Sequence, residues 1–365
     1  MKRITCFIES LAPGGAQYQL LLLAEFLAEK GYDVELVTYA DISDHFSVPN
    51  QVKRSKIREC NVPGKYLNAL IKWFYIFHFF VRIKTDCIIS YRQRCNARLL
   101  IPLFLRGKTI KVICSERNTT IKQTSYEKVL FAFLYKRADY IVSNSNTQAE
   151  YIMRMKPQLT PKLRIIHNYT DLKKYQMCSI PQDLSVIRFA VFGRYDRQKN
   201  PLGFADAISE LTRRTKQRFE IHWYGGQAYG DLFDDLKNKI KQDGLERVFI
   251  LSDAVKDPSL LMNNYHALCL PSLFEGFSNA IAEGISSGKP MLVSNVSDNS
   301  IMVHHGVNGF LFSPFDKDSI CDTFIKFFSL SYEQMYKMAF NSRKIAENLF
   351  DKERFIMQYI SLIES

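Results

Sequence analysis

Two glutamates eight residues apart, Glu275 and Glu283, lie in the stretch Pro271–Pro290, PSLFEGFSNAIAEGISSGKP. A carboxylate accepts paired hydrogen bonds from a vicinal diol, so two of them can hold a sugar ring at each end of an extended ligand. Upstream, the apolar run Ala267–Leu270 has strand character and stops at Pro271-Ser272. Downstream, a short Ala/Ile-rich helix begins near Asn279 and ends near Gly288. A strand that enters a helix through a tight polar turn leaves backbone N–H groups at the helix start, where they suit a phosphate or sugar hydroxyls. Phe277, Ser278 and Asn279 occupy that start. Eight residues of helix rise about 12 Å. The two acids therefore cannot grip one atom. The plain alternative is a helix with two solvated glutamates, and the flanking glycines, prolines and spacing argue against it.

Cations that could face a phosphate sit in Phe192–Pro201, FGRYDRQKNP, directly after the strand-like run Ile187–Val191. An arginine fork at Arg194 and a lysine point charge at Lys199 would neutralise a departing diphosphate without a metal. A second glycine turn, Gly14-Gly15, separates the strand Ile4–Ile8 from the helix Ala16–Lys30, and the strand Val34–Thr38 follows. This is a βαβ unit whose glycines let a ligand approach the backbone. It lacks G-x-G-x-x-G, which disfavours hydride transfer with a dinucleotide. Two more strands, Cys87–Ser90 and Val112–Ser115, run out into polar residues that include Arg92, Glu116, Arg117 and Asn118. In an open parallel sheet, ligands collect at such carboxyl ends.

The elements that must position these groups alternate strand and helix along 365 residues, which is too long for one ordinary core. The expected architecture is α/β, with two Rossmann-like doubly wound domains facing a central cleft. The boundaries are residues 1–172, a polar linker at 173–185, residues 186–345, and a last helix at 346–365 crossing back to the first domain. The eight cysteines form no C-x-x-C pair, and several lie in apolar runs, as expected of buried thiols in a reducing compartment. No metal-ligand spacing is present, and the chain opens straight into a strand without the pattern of a cleavable signal peptide.

Charge is unevenly placed. Residues 1–172 hold 26 Lys and Arg against 14 Asp and Glu, so the net charge of +12 belongs wholly to the first half. Between Lys53 and Lys111, fourteen basic residues face only Glu59 and Asp86. Such a surface predicts a polyanionic partner. Within this region Gly64–Lys84, GKYLNALIKWFYIFHFFVRIK, crowds aromatic residues and cations onto one helix. Its uncharged part is far shorter than the roughly 20 residues a bilayer span needs. A basic helix with aromatic residues on its apolar face can instead lie in the interface of an anionic leaflet. The competing reading is a helix packed on the first sheet with charges on its rim.

The E-x7-E stretch resembles the signature of the retaining glycosyltransferases of family 4, which have the GT-B fold. The continuation GKPMLVSNVSDNSIMVHHGVNGFLFSP extends the likeness, with a hairpin expected at Val307-Asn308-Gly309-Phe310. The resemblance covers nearly the whole chain. It implies that Glu283 binds a ribose diol, that Glu275 binds the hydroxyls of the transferred sugar, and that Arg194 and Lys199 clamp the diphosphate. Gly14 and Gly15 would touch the donor, Phe277, Ser278 and Asn279 would offer N–H groups to it, and Ser252–Val255 would meet the base through main chain. Glu275, Arg194 and Lys199 are the catalytic candidates, while Arg92, Arg117 and Asn118 are candidates for the acceptor. The string Ser115-Glu116-Arg117-Asn118 resembles a branch of the family acting on lipid-linked oligosaccharides, as in O-antigen, capsule or glycoprotein-glycan assembly. Many members carry a histidine near this place. None is present here, so that role has no counterpart. Asn168 matches the family's Pro-Asn-Gly, whereas Tyr169 departs from it.

These features lead to a retaining transferase with a UDP-sugar donor, a lipid-linked glycan acceptor and no cofactor or metal. Its expected location is peripheral, on the inner face of the cytoplasmic membrane. Rival readings are a phosphorylase, a nucleotide-sugar epimerase, or a basic nucleic-acid-binding module. The last lacks any RNP, zinc-finger or helix-turn-helix signature, so no specific nucleic acid is expected.

Overall fold

The computed structural model describes residues 1–40, 42–57, 65–106, 109–117, 129, 132–226 and 232–365. The chain divides into two compact units: Met1–Tyr169 together with Lys352–Ser365, and Thr170–Asp351.

The first unit is built on a seven-stranded parallel sheet. Its strands are β1 (Arg3–Phe7), β2 (Asp33–Thr38), β3 (Lys53–Lys56), β4 (Cys87–Tyr91), β5 (Lys111–Glu116), β6 (Tyr140–Ser143) and β7 (Leu163–Ile165). Their order is β3-β2-β1-β4-β5-β6-β7. The described helices are α1 (Gly15–Glu29), α2 (Lys65–Arg82), α3 (Gln93–Leu103) and α4 (Asn146–Met155). The second unit has six parallel strands: β8 (Val186–Phe192), β9 (Arg218–Tyr224), β10 (Phe249–Ser252), β11 (Ala267–Leu270), β12 (Met291–Ser294) and β13 (Gly309–Phe312). Their order is β10-β9-β8-β11-β12-β13. With them come α5 (Pro201–Arg214), α6 (Leu232–Gln242), α7 (Asn279–Ser286), α8 (Asn299–Met302), α9 (Lys317–Phe328) and α10 (Tyr332–Leu349). The last helix, α11 (Lys352–Glu364), belongs to the first unit. Each sheet is doubly wound, with a reversal of strand order between β1 and β4 in one and between β8 and β11 in the other.

Strands buried on both faces read as continuous apolar runs, and β4, β11 and β12 are buried throughout. In the second unit Phe189 packs on Phe324 at 4.9 Å, and Trp223 stacks on Phe249 at 6.1 Å. Helix starts follow local chemistry. Pro201 occupies the first turn of α5 after Asn200 in the left-handed region, and Ser331 with Gln334 forms a reciprocal capping box on α10. In the first unit α11 is fastened by Tyr359 Oη, 2.8 Å from Tyr91 Oη, and by a pair between Lys352 and Glu29 at 2.6 Å.

Four features depart from the sequence reading. The strand β3, Lys-Arg-Ser-Lys, has no apolar alternation and was not anticipated. Neither were α3, which opens on polar residues, and α5, which follows the basic loop. Gly306–Gly309 is a tight turn, the Gly306 N–H on Gly309 O at 2.7 Å, and not an antiparallel hairpin: from Gly309 the chain continues as β13, parallel to β12. Gly309 is needed there because a Cβ at this position would run into the Met291 backbone.

The aromatic helix α2 buries Ile76 and Phe80, the latter edge-on to Phe7 at 4.7 Å. Tyr66, Leu67, Leu70, Trp73 and Phe74 are exposed. Their spacing puts them on one side of the helix. Among the described residues no helix is long and apolar enough to cross a membrane.

Close packing of α7 on its sheet depends on Gly284, where a Cβ would come 2.8 Å from both Leu268 Cδ1 and Met291 Sδ. Gly284→Ala is expected to destabilise the chain by about 1–3 kcal/mol through overpacking, read as a lower urea midpoint at unchanged m-value.

Candidate active site in the second unit

The loop after β8 is bolted to its neighbouring strands. Gly193 donates its N–H to Tyr224 O at 3.0 Å and accepts the Trp223 indole N–H at 2.7 Å. A Cβ on Gly225 would collide with the Gly193 carbonyl, so this approach requires glycine. Tyr195 is buried with its hydroxyl 2.7 Å from the carbonyls of both Trp223 and Ser252. This ties the loop to the ends of β9 and β10. Asp196 then caps the short turn Arg197–Lys199, its Oδ1 accepting the Lys199 N–H at 3.0 Å.

That aspartate decides where the two expected cations point. Arg194, with its side chain 56% exposed, folds back so that Nη2 lies 2.6 Å from Asp196 Oδ2. Lys199 instead turns inward, its stem over Gly193. Its ammonium pairs with the Glu275 carboxylate, both side chains being largely buried. The structure thus joins Glu275 and Lys199 and holds Arg194 at the surface beside Asp196.

Glu275 is fixed by two neighbouring loops. Leu273 donates its N–H to Gln198 O at 2.8 Å, and Gln198 Nε2 donates to Phe274 O at 3.1 Å and to Glu275 Oε2 at 3.4 Å. The Glu275 N–H donates to Ser297 Oγ at 3.1 Å, and Ser297, after β12, has φ 49°. The segments following β8 and β12 therefore converge on Glu275, the first on its carboxylate and the second on its backbone N–H. Phe277 is buried, its ring 6.3 Å from that of Phe350, and anchors the turn. Ser278 is the N-cap of α7 and makes no side-chain cap bond, and Asn279 is the first helical residue.

Glu283 lies on the second turn of α7 and is half-buried. Burial pushes its carboxyl up to about 7, opposed by a hydrogen bond from Tyr175 and the charge of Lys174, with Asp257 acting in the same direction as burial. Because the folded chain holds this proton more tightly than the unfolded chain, the group's contribution to stability falls as pH rises from the ordinary glutamate range toward 7.

In the first unit, Gly14 is the extended N-cap of α1 and Gly15 its first residue, with no side-chain cap. Arg92, at φ 79°, caps α3 and pairs with Glu9 beyond β1, so these two mark the reversal point of that sheet. Arg117 lies over the Tyr91 ring at 4.1 Å and donates to Ser115 Oγ at 3.2 Å and Asn168 Oδ1 at 2.6 Å. Asn118 lies outside the described residues. Among the described residues no group of three or more His, Cys, Asp or Glu is placed to hold a metal ion.

Sequence reasoning passed over Asp196, Gln198, Ser297, Tyr175 and Glu9. Only Asp196 left a usable signal, the Asp-x-x-Lys spacing of a side-chain cap. The Lys199–Glu275 pair gives a direct stability test. Lys199→Met should cost about 3 kcal/mol by stranding a buried carboxylate, and adding Glu275→Leu should recover most of that loss. Urea unfolding of the two single variants and the double variant reads the coupling.

The chain is similar to known proteins over most of its length. Residues 13–174 match the family model described as Glycosyltransferase Family 4, and residues 187–329 match Glycosyl transferases group 1. A UDP-Gal:alpha-D-GlcNAc-diphosphoundecaprenol alpha-1,3-galactosyltransferase of Escherichia coli is 30% identical over 45% of each chain, so the match spans less than half of that relative. An N-acetylgalactosamine-N,N'-diacetylbacillosaminyl-diphospho-undecaprenol 4-alpha-N-acetylgalactosaminyltransferase of Campylobacter jejuni is 24% identical over 78% of this chain and 79% of its own. Among solved structures, HepE of Anabaena, in complex with UDP and glucose, superposes with a TM-score of 0.85 at 18% identity, covering 100% of both chains. The two parallel, doubly wound sheets are those of the GT-B fold, and the chain belongs to the glycosyltransferases of family 4.

Proposed function

We propose that the chain is a retaining transferase that moves a hexose or N-acetylhexosamine from a UDP-sugar to a polyprenyl-diphosphate-linked glycan in bacterial surface polysaccharide assembly. The observation that carries the reading is Glu275, paired with Lys199 where β11 runs out, with Glu283 on the helix that follows. In this reading Glu283 accepts the ribose diol and Glu275 the hydroxyls of the transferred sugar. The N–H groups of Phe277, Ser278 and Asn279, together with the Gly14-Gly15 turn, serve the donor's phosphates or sugar. Lys199 shares its charge between Glu275 and the diphosphate, and Arg194 swings from Asp196 to the same group. As the glycosidic C–O bond breaks, negative charge grows on the leaving phosphate oxygen, and fixed cations there lower the barrier. The acceptor hydroxyl bonds to the anomeric carbon on the face the diphosphate leaves, and its proton passes to the departing phosphate oxygen. Glu275 is engaged by Lys199 and Gln198, which favours this route over a covalent intermediate. No metal or other cofactor is part of the proposal.

On the acceptor side, the relatives named above act, by their names, on diphospho-undecaprenol-linked sugars. Arg92 and Arg117, at the carboxyl ends of β4 and β5, are assigned to that acceptor, as is Asn118. The exposed stripe Tyr66, Leu67, Leu70, Trp73 and Phe74 on α2, within the basic half of the chain, is assigned to an anionic membrane surface. The location that follows is peripheral, at the inner face of the cytoplasmic membrane.

A panel of UDP-sugars, scored by thermal stabilisation and slow hydrolysis, should single out one donor, and Glu283→Ala should lose the response. Equal responses from both proteins would remove the ribose assignment. Because the Glu283 proton must leave for the carboxylate to accept a diol, UDP affinity should fall about tenfold for each pH unit below about 7 and level off above it. For the membrane, wild type should cosediment with vesicles containing phosphatidylglycerol, while Trp73→Ser with Phe74→Ser should stay in the supernatant. Partitioning that is unchanged in the double variant would discard that surface.

A further inference from the structure

The Glu283 carboxylate is contacted from a part of the chain that lies outside the E-x7-E stretch. After Tyr169 comes Thr-Asp-Leu-Lys-Lys-Tyr, ending at Tyr175, which is buried. This segment folds on itself, with the Tyr175 N–H on Asp171 O at 2.9 Å and the Lys173 N–H on Asp171 Oδ1 at 2.8 Å. Its buried tyrosine hydrogen-bonds the Glu283 carboxylate.

One guanidinium holds this arrangement. Arg343 of α10 places Nη1 2.8 Å from Tyr175 O, 2.7 Å from Ser286 O and 3.5 Å from Leu172 O. Ser286 is the last residue of α7, so the arginine ties the segment that carries Tyr175 to the helix that carries Glu283. Nε of the same guanidinium lies 2.7 Å from Glu347 Oε1, so the planar group spans the carbonyls and a carboxylate at once, which the point charge of a lysine cannot do. The other charged groups acting on Glu283 are Lys174 and Asp257. Lys174 lies over the Tyr175 ring at 5.3 Å, and its Nζ is 3.6 Å from Asp257 Oδ1.

We propose that Tyr175 is a positioning residue for Glu283, held in register by Arg343. Its hydroxyl donates to one carboxylate oxygen, which fixes the rotamer and turns the remaining acceptor sites toward the ligand's diol. A hydrogen bond to the charged form also favours that form, so Tyr175 helps keep the carboxylate ready to accept two hydroxyls. The inference deepens the assignment of Glu283 to the ribose and rests on it. A ring that only filled space would be served equally by phenylalanine.

Tyr175→Phe tests this, because it keeps the ring and removes one oxygen. UDP and 2′-deoxy-UDP binding would be followed by calorimetry across pH 6–9. Tyr175→Phe should weaken UDP binding about tenfold at neutral pH, move the acid limb to higher pH, and shrink the preference for UDP over 2′-deoxy-UDP. Arg343→Lys should act in the same direction and add little in the Tyr175→Phe background. Tyr175→Phe that matches wild type at every pH, while Glu283→Gln weakens UDP binding, would overturn the positioning role alone. Glu283→Gln that binds UDP as wild type does would overturn the ribose assignment beneath it. A uniform loss at all pH values with the 2′-hydroxyl preference intact would mark a packing role and also overturn the proposal.

Discussion

A parallel sheet whose strand order reverses must leave two neighbouring carboxyl ends without a shared helix cover, because the following connections depart to opposite faces. In the second unit that pair is β8 and β11, and the expected catalytic candidates follow these two strands. Lys199 and Glu275 are distant in sequence and meet only because their strands are neighbours. The same geometry in the first unit brings Glu9 and Arg92 together beyond β1 and β4.

Around these openings three cations are each held by a carboxylate. Lys199 is held by Glu275, Arg194 by Asp196, and Arg92 by Glu9. Of the three only Lys199–Glu275 is buried, and a buried pair gains little over an apolar substitute and suffers greatly when one partner is removed. It therefore makes poor sense as a stabilising device and better sense as a stored, correctly placed charge. Glu283 differs, since its partner is a neutral hydroxyl and its surroundings favour the protonated form.

Most strands were legible because parallel strands buried on both faces announce themselves as apolar runs bounded by polar residues. Cys87–Tyr91, Ala267–Leu270 and Val186–Phe192 are examples. The strand β3 was illegible because nothing in Lys-Arg-Ser-Lys alternates. Gly309 has two uses that sequence cannot separate: its carbonyl closes a tight turn with Gly306, and its missing side chain lets β13 touch the Met291 backbone. Of the candidate site, the sequence offered a glutamate pair and an Arg…Lys loop, each after a strand, and the structure joins one member of each, Glu275 and Lys199. Their partners were not legible. Tyr195, Gln198 and Ser297 act through hydrogen bonds between loops far apart in sequence, and no local pattern encodes those.

The strand β3 stands at one border of the first sheet and, among the described residues, pairs only with β2. An unpaired ladder of N–H and C=O groups invites another polypeptide to add itself, and lysines placed along it repel that newcomer. Lys53 and Arg54 are fixed there by Asp33 and Asp44, so any strand added at this border would meet charges already held in place. Neutralising Lys53, Arg54 and Lys56 would be felt first as a loss of solubility.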